Sequence, residues 1–359
     1  MTKIFDNRPE PDYAVLVGVG VNRIIHETSL DELSALCKTC NIIESARVIQ
    51  NRKDIDVTWY VGKGKVDEIK VLAAETGANV VVFDVELSGS KTRNLEQVLG
   101  MPVLDRSKII LDIFARRAQS MEGKLQVELA QLKYNSTRLV GAGGLMAQMR
   151  NSVGMRGPGE KKLELDKRTI RDQILTLEQK LRDVKSNREL SKQNAVRSKK
   201  PRVCLVGYTN SGKSTLLNAI AKTAVLAEDK LFATLDPKTA NVYLGRGAQI
   251  LLTDTVGFID KLPHEFIKAF ESTLDEARFA DLLLHVVDAS NSECQKQIEV
   301  VNQVLAKIGA DKVPTIMVFN KSDILNINNK DGAKISALKG TGIDLLKQKI
   351  IDTLAGGKI

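Results

Sequence analysis

The chain has 359 residues, too many for one average domain and enough for two or three. Hydrophobic residues make up 43%, yet no stretch approaches the roughly eighteen unbroken apolar residues of a membrane helix, and the N-terminal Met1 to Asn7 lacks the apolar core of a secretory signal, so a cytoplasmic protein with no membrane partner is expected. Lys and Arg outnumber Asp and Glu by 53 to 44, and the resulting net charge of +9 favours a polyanionic partner.

The first hundred residues alternate strand and helix signals. Strands are expected at 13–19, 42–49, 79–85 and 103–105, with helical segments at 30–40, 66–76 and 95–99 between them. This βα alternation predicts a small parallel sheet. Cys37 and Cys40 end the first helix as a lone pair with no second pair to complete a zinc site, which points to packing. Cys204 is expected in a core strand, and His26, His264 and His285 are too dispersed to act together. Gly62-Lys63-Gly64-Lys65 precedes a helix, but it lacks the spacing of a phosphate-binding loop and is first of all a glycine turn.

From Ser107 the pattern changes to long helices. Ile110, Ile113 and Phe114 begin an apolar stripe that Leu125, Leu129 and Leu132 continue. Further on, Ile170, Ile174, Leu177, Leu181 and Val184 recur at spacings of four, three, four and three, a coiled-coil seam. Two such arms predict an antiparallel helical hairpin. The segment joining them, 138–160, carries Gly141, Gly143, Gly144, Gly154, Gly157 and Gly159 with Arg138, Arg150 and Arg156, and its acidic residue is Glu160. A loop of that length is more than a connector, and a basic tip on a rigid hairpin suits folded RNA. Residues 160–200 add thirteen Lys or Arg against seven Asp or Glu, although a solvated coiled-coil face explains most of these charges.

A phosphate-binding loop follows: Gly207, Tyr208, Thr209, Asn210, Ser211, Gly212, Lys213 and Ser214, set between an apolar strand and a helix. Its amides and the helix N-terminus suit phosphates, Lys213 reaches the β- and γ-phosphates, and the Ser214 hydroxyl is a ligand for Mg²⁺. Phe232, Ala233, Thr234, Leu235 and Asp236 form the candidate switch segment, with Thr234 contacting Mg²⁺ and the γ-phosphate in the triphosphate state. Asp254, Thr255, Val256 and Gly257 follow the strand 249–253. Asp254 would hold the metal through water, and Gly257 would let its amide approach the γ-phosphate. Phe258 stands where a Ras-type enzyme places a water-orienting Gln, so either a partner assists hydrolysis or intrinsic turnover is slow. The ring itself is first of all expected to pack apolar surface.

Base choice falls to Asn320, Lys321, Ser322 and Asp323 after the strand 313–319. A carboxylate at Asp323 accepts from guanine N1–H and its 2-amino group, a donor pair that adenine lacks. Asn320 would tie this segment to the phosphate loop, and the Lys321 stem would lie over the base. Ser336, Ala337 and Leu338 follow the short strand 333–335 and would meet the guanine carbonyl. In this order the five segments predict a Mg²⁺-dependent GTP hydrolase, with Lys213, Thr234 and Gly257 carrying catalysis. The expected fold is α/β: a small N-terminal α/β domain at 1–106, a helical hairpin at 107–199, and a P-loop domain at 200–359 with a central, mostly parallel sheet.

Across nearly its whole length the chain resembles the HflX family of translational GTPases. The resemblance rests on Tyr60 to Lys65, on Leu125 to Leu132, on Arg156-Gly157-Pro158-Gly159-Glu160, on the phosphate loop and on Phe232 to Pro237. It implies binding to the large ribosomal subunit and its rRNA, with splitting of stalled ribosomes under stress, in a protein acting as a monomer. It also implies that the loop at 138–160 approaches the peptidyl transferase region. An assembly factor for ribosomal precursors, or an ATP-driven RNA remodeller using the N-terminal domain, are the alternatives. The chain stops at Ile359 after the helix 343–354, and is expected to lack the additional C-terminal domain of some members.

Overall fold

A computed structural model describes residues 10–22, 24–140, 158–195, 200–221, 231–232, 235–245, 247–261, 271–324 and 332–356. The chain divides into two compact units, one made of Met1–Ile113 and Gln131–Ile174, the other of Phe114–Ala130 and Leu175–Ile359.

The first unit holds a sheet of four strands in the order β2-β1-β3-β4, all parallel. The strands are β1 (Asp12–Val21), β2 (Ile42–Arg52), β3 (Val80–Phe83) and β4 (Val103–Asp105). Helices α1 (Asp31–Thr39), α2 (Lys63–Thr76) and α3 (Gly89–Leu99) supply the crossovers that parallel pairing demands. Val15, Val17, Val81 and Phe83 of the strands pack with Val66, Ile69, Ala73 and Leu95 of the helices in one core. The expected strands and helices are all present, each helix starting one to six residues from the expected position. Cys37 and Cys40 are buried free thiols, and burial pushes the Cys37 thiol well above its ordinary value. Both belong to the packing.

Helices α4 (Arg106–Arg117) and α5 (Met121–Val140) follow, then α6 (Pro158–Ala195). Two expectations are corrected here. The apolar stripe from Ile110 to Leu132 does not lie on one helix, because the chain breaks between Arg117 and Met121 and a new helix is capped there. Arg138 is not a loop residue either. It sits on α5, where its guanidinium donates to Asp105 Oδ2 at 2.6 Å and lies 4.1 Å from the centre of the Tyr134 ring. Asp105 is fully buried and collects four donors: Arg138, the Tyr134 hydroxyl at 2.8 Å, and the amides of Leu87 at 3.1 Å and Lys108 at 2.8 Å. That network spends the Arg138 charge inside the first unit. At the other end of the expected RNA-binding loop, Gly159 and Glu160 likewise belong to a helix, the start of α6, while its other glycines with Arg150 and Arg156 lie outside the described residues. Along α6, Leu177 is buried and Ile170, Ile174, Leu181 and Val184 are half-buried.

The second unit is built on six strands in the order β10-β9-β8-β5-β7-β6. They are β5 (Arg202–Gly207), β6 (Lys238–Gly245), β7 (Ala248–Asp254), β8 (Leu282–Asp288), β9 (Thr315–Asn320) and β10 (Ala333–Lys334). Only the edge strand β6 runs antiparallel, against β7. Helices α7 (Lys213–Ala221), α8 (Glu271–Arg278), α9 (Cys294–Lys307) and α10 (Ile343–Gly356) complete the unit. Leu205, Leu252, Leu284 and Val318 of the strands share a core with Leu216, Leu217 and Ile220 of α7 and Leu346 and Ile350 of α10. Strand order reverses at β5, which pairs with β7 on one side and β8 on the other. The carboxyl ends of β5, β7 and β9 therefore point their loops to one edge of the sheet, where open α/β sheets take ligands.

Candidate functional site

The phosphate loop leaves β5 at Gly207 and enters α7 at Lys213, and Gly212 O accepts the Leu216 amide at 2.9 Å as the helix starts. Asn210 takes a left-handed backbone at φ 58, a conformation Asn tolerates and one that turns the loop. Two hydroxyls in the loop, Thr209 Oγ1 and Ser211 Oγ, are buried and find no hydrogen-bond partner within the described residues. Buried donors of this kind suit an incoming acceptor such as a phosphate oxygen. Lys213 Nζ donates to the carbonyls of Gly207 at 3.1 Å and Tyr208 at 2.8 Å. Burial lowers its pKa to about 8, while Asp254 acts in the opposite direction. Burial, and after it the same ammonium, lowers His285 on β8 to about 4, so that imidazole is neutral. A phosphate beside Lys213 would supply the negative charge that its surroundings lack.

Ser214 and Asp254, the two metal-ligand candidates in the described chain, meet at the mouth of the loop. The Ser214 hydroxyl donates to Asp254 Oδ2 at 2.6 Å, and Asp254 is fully buried at the end of β7. A hydroxyl and a carboxylate are hard oxygen donors, and few protein ligands plus phosphate oxygens are what Mg²⁺ takes. The residues present therefore fit that ion. Among the described residues no cluster of three or more His, Cys, Asp or Glu could hold a metal. Thr234, the third candidate, and Ala233 lie outside the described residues.

After β7 the side chains of the predicted segment turn inward. The Thr255 hydroxyl donates to Leu205 O at 2.7 Å and Val256 is buried. Gly257 sits against the phosphate loop: a Cβ there would stand 2.8 Å from Thr209 Cα and 3.0 Å from Lys213 Nζ. Any side chain would push that backbone away from the loop. Phe258 is buried, and its backbone exchanges two hydrogen bonds with the loop, Phe258 N to Gly207 O at 3.1 Å and Thr209 N to Phe258 O at 2.7 Å. Tyr208 adds a third tie by accepting the Asp260 amide at 2.7 Å. The Phe258 ring is thus core, and neither its chemistry nor its position lets it orient water.

The residues expected to read the base converge through Asn320. Its amide nitrogen donates to Ser211 O at 2.9 Å and its oxygen accepts the Ala337 amide at 2.9 Å, so one buried side chain joins the phosphate loop to the 336–338 loop. Ser322 N bonds Ile335 O at 3.1 Å, which fixes the second edge of that pairing. The Ser336 hydroxyl and then the nearby Lys339 ammonium hold the Asp323 carboxyl below the ordinary carboxylate range. Lys321 is tethered by its ammonium to Asp288 Oδ2 at 2.6 Å, which fixes the far end of its aliphatic stem. Leu338 is exposed. Asn320→Ala strands the Ser211 carbonyl and the Ala337 amide together. The expected result is a loss of at least about tenfold in affinity for both GDP and GTP. Nucleotide titration checks it, and equal affinity would show the two loops to be held independently.

Of the switch residues, Phe232, Leu235 and Asp236 are described. Phe232 and Leu235 are buried, with the Phe232 ring edge-on to Phe114 at 4.7 Å. Asp236 faces the start of α5 and accepts the amides of Gln119 at 2.9 Å and Ser120 at 2.8 Å. These partners lie more than a hundred residues upstream, and the sequence reading missed them. The signal available was Ser120 three residues before Gly123, a helix cap inside what looked like a continuous stripe.

Comparison with known proteins matches three family models in succession: "GTP-binding GTPase N-terminal" at residues 27–115, "GTP-binding GTPase Middle Region" at 117–195 and "50S ribosome-binding GTPase" at 202–321. GTPase HflX of Lacrimispora saccharolytica is 46% identical, aligned over all of this chain and 87% of its own length. GTPase HflX of Caldanaerobacter subterraneus subsp. tengcongensis is 45% identical over 95% and 80%. GTPase HflX of Escherichia coli K12 is 41% identical over 98% and 85%. Among solved structures, the GDP complex of the protein called SsGBP is similar at a TM-score of 0.54 and 26% identity, covering 97% of this chain and 100% of that one.

Proposed function

The chain belongs to the HflX family of GTPases and hydrolyses GTP, and from that premise we infer that its nucleotide cycle times binding to the large ribosomal subunit. The observation that carries this reading is the match of residues 202–321 to a family described as ribosome-binding. The net charge of +9 and the basic surplus along 160–200 support an rRNA partner. A cytoplasmic monomer that splits stalled ribosomes is the fuller form of the same reading, with the chain organised as an N-terminal domain at 1–106, a helical region at 107–199 and a G domain from 200. Among the described residues no helix is long and apolar enough to cross a membrane.

In this reading the amides of Gly207 to Ser214 and the Lys213 ammonium bind and orient the phosphates. Asp323 selects guanine, and the carbonyl and amide of Asn320 keep the base loops in register with the phosphate loop. Ser214 and Asp254, with Thr234 from the switch, would hold Mg²⁺, which supplies charge neutralisation at the phosphate oxygens. Gly257 brings its amide to the γ-phosphate and Phe258 closes apolar surface behind it. No side chain at 258 aligns the attacking water, so isolated turnover is slow and the ribosome accelerates it.

The test is co-sedimentation with purified ribosomal subunits, paired with turnover measurements. Retention on large subunits with a nonhydrolysable GTP analogue, loss of retention with GDP, and a rise in GTPase rate of at least about tenfold on adding large subunits are expected. Equal retention in both nucleotide states would reject the timing role.

A further inference from the structure

Helix α5 begins where the switch segment ends. Ser120 is its cap: Ser120 Oγ accepts the Gly123 amide at 2.9 Å, and Ser120 O accepts the Lys124 amide at 3.0 Å. The cap is itself gripped by Asp236. One carboxylate oxygen takes the Gln119 and Ser120 amides, and the other accepts a short hydrogen bond from the Ser120 hydroxyl. Three donors therefore converge on one anion at the positive end of a 20-residue helix, an arrangement that dipole and charge both favour. Three residues before the end of α4, Phe114 packs edge-on against Phe232 at an interplanar angle of 79°. The described ends of the switch segment, Phe232 and Asp236, are thus both held by residues 114–120, which precede the P-loop fold in the chain.

Gly123 shows how close this grip is. It is the third residue of α5, a place where Gly costs helix stability relative to Ala. A Cβ at Gly123 would lie 2.6 Å from Asp236 Oδ1 and 3.0 Å from Ser120 Oγ. The helix gives up its better residue where the carboxylate needs the room.

We propose that the first turn of α5, through Ser120 and Gly123, is a positioning element for GTP hydrolysis. It holds the switch segment by Asp236, so that the conformation of that segment and its grip on α5 form one equilibrium. The proposal rests on the reading of Thr234 as the switch residue, two positions before Asp236. Because coupling is reciprocal, anything that binds α5 and disturbs its first turn changes the hydrolytic competence of the switch, and nucleotide state changes the first turn in return. A ribosome could thereby stimulate turnover without inserting a group beside Phe258.

Gly123→Ala separates this from a structural role, since Ala strengthens an ordinary helix while here it evicts the carboxylate. The expected result is a fall in kcat of about tenfold, with KM for GTP within about twofold of the native value. Ser120→Ala, which removes one of the three donors and leaves the backbone untouched, lowers kcat by about threefold. Amide hydrogen exchange over 118–124 adds the second readout: protection differs between GDP and a nonhydrolysable GTP analogue in the native protein and is the same in Gly123→Ala. Native kcat in both variants, or exchange in the native protein that ignores nucleotide, overturns the proposal. Thr234→Ala distinguishes the two layers. If it hydrolyses GTP normally while Gly123→Ala is slow, the switch assignment falls and the positioning role stands. If it is inactive while both α5 variants are normal, the positioning role falls alone.

Discussion

Asp323→Asn should lower affinity for GTP by about 100-fold and raise affinity for xanthosine triphosphate by a comparable factor. The carboxylate accepts two hydrogen bonds from guanine, and an amide in its place offers one donor that faces the guanine 2-amino group and repels it. Xanthine carries an oxygen there, which the same amide can donate to. The Ser336 hydroxyl and the Lys339 ammonium at 3.3 Å keep the carboxyl below its ordinary range, so the acceptor form holds across neutral pH and is lost only as pH falls past that range. Competition against a fluorescent guanine nucleotide measures both affinities. Unchanged selectivity would mean that the base is read elsewhere.

Asp105→Ala carries the largest expected effect on stability, a loss of about 3–5 kcal/mol from the first unit. Four donors lose one acceptor: the Leu87 and Lys108 amides, the Tyr134 hydroxyl and the Arg138 guanidinium. The guanidinium is half-buried and the Tyr134 hydroxyl is kept protonated by burial, so neither recovers its hydration cheaply. The protein's single tryptophan, Trp59, packs against the core of that unit, and its fluorescence follows urea unfolding there. A shift below about 1 kcal/mol would show the network to be solvated and replaceable.

What was legible in the sequence was chemistry carried by consecutive residues. Gly207 to Ser214 states a phosphate loop because eight neighbours supply the amides, the ammonium and the hydroxyl together. Asp254 and Asn320 could be placed because each ends an apolar run, with Asp323 three residues further on, and in this fold strand ends share one edge. Asn320 was read as a tie to the phosphate loop, and its amide does bond Ser211 O, 109 residues away. What failed was reading composition as role. Arg138 looked like part of a basic tip, but Asp105, 33 residues upstream, had already claimed its charge. Asp236 was read only as part of the candidate switch segment, and its bonds to amides 116 and 117 residues earlier were not foreseen. The stripe from Ile110 to Leu132 concealed a helix break because apolar spacing says nothing about a cap whose acceptor comes from a distant loop.

The edge hairpin of β6 and β7 gives the candidate switch segment and the 254–257 segment a common starting rung. Lys238, two residues beyond Asp236, stands opposite Asp254, and on the next rung the Thr239 and Thr253 hydroxyls meet at 2.9 Å. Both segments therefore spring from one pair of antiparallel rungs, one leading into the sheet and the other out of it. Such a pair can turn together or fray together, but neither strand can slide by one residue without turning its own side chains to the opposite face of the sheet. Beyond this same end of the ladder, Phe258 is fastened to the phosphate loop on one strand's continuation and Asp236 to α5 on the other's. In the proposed role of α5, strand register therefore sets the number of residues between the Asp236 grip and the segment at Gly257 where the γ-phosphate would sit.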